Sequence, residues 1–112
     1  KKLIRTAVGK VAISSIVLAE LCYGIKLSRK QKKNRAALHD FLQYVTVQDW
    51  PEQAGREYGK IHAQLKQKRT PIGANDLLFA AHAVTLDAVL VSDKTREFLR
   101  VPGLKLKNWI DR

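Results

Sequence analysis

The spacing of apolar residues along the chain changes period several times, and each change marks an element. KVAIS (10–14) is short and β-branched, which predicts a strand. Ser14 at its end and Ser15 after it can cap a helix over IVLAELCYGIKL, with Leu18, Leu21, Cys22 and Ile25 on one face. Leu38, Phe41, Leu42 and Val45 recur at i, i+3, i+4, i+7, the stripe of a second helix. VTVQDW reads as a strand stopped by Pro51, and Pro51 can begin a third helix with Ala54, Tyr58, Ile61 and Leu65 on its inner face. PIG is a turn. NDLLFAAHAVTL is apolar on most sides and predicts a central helix. DAVLVS is a nearly continuous apolar strand, as expected where a parallel sheet is covered on both faces. KTREFLR predicts a short helix, PG a turn, and LKLKNWI an alternating edge strand. Strands alternating with helices define an α/β domain with a mainly parallel central sheet flanked by helices. Residues 1–112 are expected to form one domain.

Composition sharpens this picture. Hydrophobic residues make up 46% of the chain, which excludes a disordered tail. The formal net charge of +11 calls for an anionic partner, nucleic acid first and an acidic protein second. One cysteine, Cys22, excludes a disulfide framework and a cysteine-based zinc site, which suits a cytoplasmic protein. Cys22 reads as a buried structural thiol. The opening KKLIRTAVGK copies the positive start of a secretory leader, but Glu20 breaks the apolar run and no cleavage motif follows. No stretch is long enough to span a bilayer, so no membrane role is expected. The absence of an initial Met is read as the mark of a fragment or a processed product.

Three acids stand where chemistry is possible. Glu20 lies within the first helix, Asp76 beside Asn75 starts the apolar one, and Asp93 follows the strand AVLVS. Open α/β sheets bind ligands at the carboxyl ends of their strands. Hard cations take oxygen ligands, and Mg²⁺ takes one or two carboxylates plus water and phosphate. Each acid also has a plain reading: Asn75 and Asp76 cap a helix and favour its dipole, Glu20 is a solvated helix residue, and Asp93 caps the next helix. Both readings stand at this stage. The basic run Lys26, Lys30, Lys32, Lys33 and Arg35, and a second from Lys66 to Arg69, can track a phosphate backbone or form solvated faces. His39, His62 and His82 lack metal-ligand spacing, and His82 reads as a satisfied core histidine. Trp50 and Trp109 fit either a core or an interface. No Gly-rich phosphate loop and no nucleophile elbow is present.

ISSIVLAELCYGI, KNRAALHDFL, YGKIHAQLKQKRTPIGANDLLFAAHA and VLVSDKTREFLRVPGLKLKNW together resemble a VapC-type PIN-domain toxin, in step from about Val11 to Trp109. The resemblance implies a Mg²⁺- or Mn²⁺-dependent endoribonuclease, the toxin of a type II toxin–antitoxin system. It further implies a VapB-type antitoxin that inserts a segment into the acidic cleft, an RNA substrate, a homodimer, and operator DNA bound only through the antitoxin. Glu20 matches the acid of the family's A-E-L-x-x-G motif, and Asp76 the acid of N-D-L-L, both as metal ligands or as organisers of metal-bound waters. Ser92 matches a supporting hydroxyl, and Asn75 is counted as supporting with it. The fourth site position falls on Lys94, with Asp93 one residue early and close enough to substitute.

The front of the chain departs from the pattern. Nothing before Val11 resembles the L-D-T-N strand whose Asp is a principal ligand. The sequence therefore predicts an N-terminally truncated PIN-like domain that lacks a central strand and one carboxylate, and is weakly active or inactive alone. The alternative is a non-catalytic RNA- or antitoxin-binding module. A basic structural RNA-binding protein is a third possibility.

Overall fold

A computed structural model describes residues 3–5, 11–92 and 95–108. Strands β1 (Leu3–Arg5), β2 (Val11–Ser14), β3 (Thr46–Gln48), β4 (Val89–Ser92) and β5 (Lys105–Asn108) form one sheet in the order β3-β2-β1-β4-β5. The helices are α1 (Ser15–Leu27), α2 (Gln31–Phe41), α3 (Glu52–Gln67), α4 (Ala74–Thr85) and α5 (Thr95–Phe98). β2 pairs with β3, and β4 with β5, in parallel. β1 runs antiparallel to both β2 and β4, so those four strands share one direction.

The expected missing central strand is therefore corrected: Leu3–Arg5 fills the centre of the sheet. An open slot there would leave the inner edges of β2 and β4 unpaired, which is costly for buried backbone groups. The direction follows from chain length. Only residues 6–10 separate β1 from β2, and a parallel pair needs a crossover of about a dozen residues or more.

Adjacent residues of β2 face opposite sides of the sheet. Ala12 stands level with Ile4 and Leu90, and these join Ile61 and Leu65 of α3 with Leu77 and Ala80 of α4 in the larger core. Ile13 packs on the other side with Val17 of α1, Phe79, and the partly buried Phe41, Leu42 and Val45. β4 departs from expectation: Leu90 and Ser92 are fully buried, but Val89 and Val91 are half-buried, so only one face is completely covered.

The third helix keeps its face, with Ala54, Ile61 and Leu65 buried and Tyr58 half-buried. Pro51 is its N-cap residue. The first two helices do not keep theirs. Only Val17 of α1 is buried, Leu21 and Cys22 are exposed, and α2 buries no residue. The inert, buried reading of Cys22 is thus corrected. The apolar sides of α1 and α2 instead line a groove of about 450 Å³ between them, floored by Val17, Leu21, Ile25, Leu38 and Phe41.

Candidate metal centre

β2 and β4 end on Ser14 and Ser92, both buried. Register places these serines at the same level, two strand spacings or about 10 Å apart across β1. The Ser14 hydroxyl accepts from the Ile16 amide at 3.2 Å and caps α1, as the sequence predicts. α1 runs back from this edge and carries Glu20 down from its first turn. α4 approaches the same edge from the other direction. It feeds β4 through a tight turn at Leu86–Ala88, so its N-terminus lies beside the carboxyl end of β4.

That N-terminus is built differently from a side-chain cap. Gly73 is the N-cap residue and makes no side-chain cap bond, while Asp76 stands at the third helical position. Asp76 is therefore not the capping residue, though a carboxylate in the first turn still favours the helix dipole. In a capping box Asp76 would take the Gly73 amide. That amide instead donates to Glu97 Oε1 of α5 at 3.3 Å. Arg100 Nη1 donates to the Pro71 carbonyl at 2.7 Å, so α5 and the residue pair beyond it hold the Pro71–Gly73 loop at both ends. A Cβ on Gly73 would lie 3.6 Å from Asp76 Oδ2, so this loop lies directly against the carboxylate. Asp76 is 4% exposed.

Glu20 reaches the same place. Asn75 Nδ2 donates to Glu20 Oε2 at 2.8 Å, joining positions 55 residues apart. The structure thus joins Glu20 to Asn75, the chain neighbour of the buried Asp76, while the buried Ser14 and Ser92 end β2 and β4. Asp93 and Lys94 lie outside the described residues, and so does Trp109. Among the described residues no group of three or more His, Cys, Asp or Glu is placed to hold a metal ion. The chemistry of Glu20 and Asp76, two carboxylates of which one is buried, suits a hard divalent cation.

Trp50 is settled as a structural anchor. Its amide donates to Ser15 Oγ at 3.2 Å and its indole Nε1 to the Leu78 carbonyl at 2.9 Å, tying the segment after β3 to the start of α1 and the second turn of α4. Sequence spacing gave no sign of these bonds, nor of Glu97 and Arg100 as loop supports, because each joins segments distant in the chain. The basic run is exposed at the far end of the α1–α2 pair. Lys26 stands about 9 Å further along α1 than Glu20 at helical rise. The turn there is pinned by Ser28 Oγ, which accepts from the Lys30 amide at 3.0 Å and Asn34 Nδ2 at 2.7 Å. His82 is buried as expected, but among the described residues neither ring nitrogen has a hydrogen-bond partner, so it is not a satisfied core histidine. Burial lowers its pKa below the usual 6.5.

A sheet of mostly parallel strands flanked by helices is the frame of a PIN domain, and the family model of that description matches residues 1–104. The chain belongs to the PIN-domain family, within its VapC group. It is 44% identical to Ribonuclease VapC2 of Rickettsia felis over 99 residues, which cover 88% of this chain and 74% of that protein. It is 38% identical to the tRNA(fMet)-specific endonuclease VapC of Salmonella typhimurium, over 89% of this chain and 76% of that one. Among solved structures it resembles VapBC2 from Rickettsia felis bound to a promoter DNA fragment, with a TM-score of 0.85, 45% identity, and 88% and 74% of the two chains covered. VapBC-1 from Haemophilus influenzae is similar with a TM-score of 0.86, 34% identity, and 91% and 76% covered. Among the described residues no helix is long and apolar enough to cross a membrane.

Proposed function

We propose that the chain is the toxin of a type II toxin–antitoxin pair, an endoribonuclease that uses Mg²⁺ or Mn²⁺. The observation that supports this reading is the hydrogen bond from Asn75 to Glu20, which ties Glu20 to the residue next to the buried Asp76. Asp76 and Glu20 would hold the cation with Asp93, and Asn75 and Ser92 would support them. When bound, the cation supplies a Lewis acid for the phosphodiester and a water of lowered pKa. The chain's own groups do the rest. Asn75 fixes the rotamer of Glu20. The Pro71–Gly73 loop shields Asp76 from bulk water. The excess positive charge draws RNA in. The ribonuclease names of the relatives support the same reading.

The chain on its own is proposed to cleave weakly. No acid precedes Glu20, so the central strand Leu3–Arg5 brings none to the site. An L-D-T-N segment in place of the first strand should raise cleavage of RNA by Mg²⁺, and EDTA should prevent it. No gain would count against this account. Asp76→Asn and Glu20→Gln keep side-chain shape, so both should fold normally, lose Mn²⁺ binding by titration calorimetry, and remove the restored cleavage. Full activity in either variant rejects the site assignment.

The groove between α1 and α2 is the proposed seat of a VapB-type antitoxin. Its floor is apolar and Glu20 lies in its wall, which suits an apolar segment that brings a cation to the acidic site. Operator DNA is then bound through the antitoxin, and a homodimer is the proposed assembly. The acid-free central strand also favours a second reading, a non-catalytic module that binds antitoxin or RNA. That module would hold its partner without cleaving RNA even after the L-D-T-N segment is restored.

A further inference from the structure

A second cavity lies on the far side of the loop that shields Asp76. Its floor is apolar, made by the buried Leu65 and Leu77 with Ile72 beside them, and its volume is about 330 Å³. That is near the lower end of the roughly 300–1,000 Å³ found for small-molecule sites, room for one nucleotide. His62, Lys66 and Arg69 stand along its rim. The first two are one helical turn apart, so α3 presents both on one side. The His62 ring is held edge-on to Tyr58, with centroids 5.4 Å apart. Among the described residues, Lys66 and Arg69 show no ion pair or hydrogen bond from their side chains.

Arg69 carries a second, independent observation. α3 and α4 end with the same device. A left-handed residue follows the cap, and the next amide bonds back to the helix: Thr70 to Leu65 at 2.9 Å, Ala88 to Ala83 at 3.0 Å. The left-handed residues are Arg69 (φ 57°) and Asp87 (φ 51°). Asp tolerates this conformation, and Asp87 also pairs with Lys105 at 2.8 Å, so the fold explains it. Arg at the equivalent position is strained relative to Gly, and the fold gives it no partner.

We propose that this pocket holds one unstacked nucleotide of the RNA beside the scissile bond, its base on Leu65, Ile72 and Leu77 and its phosphate between Lys66 and Arg69. The assignment rests on the ribonuclease reading and locates part of its substrate. Ile72 lines the pocket and the next residue, Gly73, lies against Asp76, so a strand leaving the acidic site crosses one loop to enter it. Imidazole and aliphatic surfaces accept any base face, and paired cations accept a phosphate.

The test is a titration of the chain, in EDTA, with nucleoside 5′-monophosphates, nucleosides and inorganic phosphate, read from the methyl resonances of Leu65, Ile72 and Leu77. The monophosphates should saturate, and nucleoside or phosphate alone should bind about tenfold more weakly. Arg69→Gly should weaken the monophosphate about tenfold while holding or raising the melting temperature, because the left-handed strain is relieved. Lys66→Ala should weaken it similarly. Silent methyl groups, equal binding of phosphate alone, tighter binding of an acidic peptide, or unchanged affinity in both variants would each overturn the proposal. Cleavage is scored separately on the form with the L-D-T-N segment. Nucleotide binding without metal-dependent cleavage keeps the pocket and rejects the nuclease, whereas cleavage with a silent pocket does the reverse.

Discussion

Asp76, Asn75 and Glu20 show how differently three neighbouring polar residues can be employed. Asn75 is exposed and spends its amide on Glu20, Glu20 is half-buried, and Asp76 is 4% exposed yet does not cap its helix. Asp76 leaves the cap position to Gly73 and the cap amide to Glu97, so its effect on the helix is that of a carboxylate in the first turn. His82, two turns along the same helix, is buried with neither ring nitrogen bonded to any described residue. Burial lowers its pKa from 6.5, because the protonated ring loses its hydration. As pH falls through that value the unfolded chain takes up a proton that the folded chain resists. Its contribution to stability is therefore intact above about pH 6.5 and declines below it. Urea unfolding followed from about pH 7.5 down to about pH 5 should show the midpoint falling. His82→Leu should flatten that decline. An equal decline in the variant would exonerate His82.

At the scale of elements, β1 has the greatest effect for its length. It has three residues, it is antiparallel to both neighbours, and Ile4 at its middle is 2% exposed. Ile4→Ala should lower unfolding free energy by about 2–5 kcal/mol, the range for an aliphatic residue removed from a packed core. A change under about 1 kcal/mol by urea unfolding would mean that β1 is peripheral to the fold, since that is the range of surface substitutions. α5, at four residues, is also short, and its Phe98 is 1% exposed. Its Glu97 and the adjacent Arg100 pin the loop that serves both the acidic site and the pocket. The helices were easiest to read from sequence where they are buried, as in α3 and α4. The stripe of α1 is helical throughout, whereas of the four residues expected on the second helix only Leu38 and Phe41 lie in α2, with Leu42 its C-cap and Val45 beyond it; the apolar sides of both helices meet in an open groove. Periodicity reports which residues share a face and says nothing of what covers that face.

Over the whole molecule, a net charge of +11 surrounds a small acidic site. The affinity for single-stranded RNA in EDTA should fall linearly with the logarithm of salt concentration. Removing one phosphate-contacting cation, as in Lys66→Ala, should reduce the slope by about one. A slope unchanged in Lys66→Ala and reduced by loss of Lys32 and Lys33 would place the backbone contacts on α2 instead.

The α/β class, the helices and the strands from β2 onward are legible in the residues alone, because hydrophobic period is a local property. Motif spacing carried the family. Three matters were decided only by tertiary structure. The centre of the sheet is closed by LIR, a tripeptide too short to announce itself as a strand. Asn75 meets Glu20 across 55 residues. Cys22 and Leu21 remain exposed on a face that looked ready for burial. Each depends on which distant segment arrives beside a residue, and chain packing fixes that while local spacing does not.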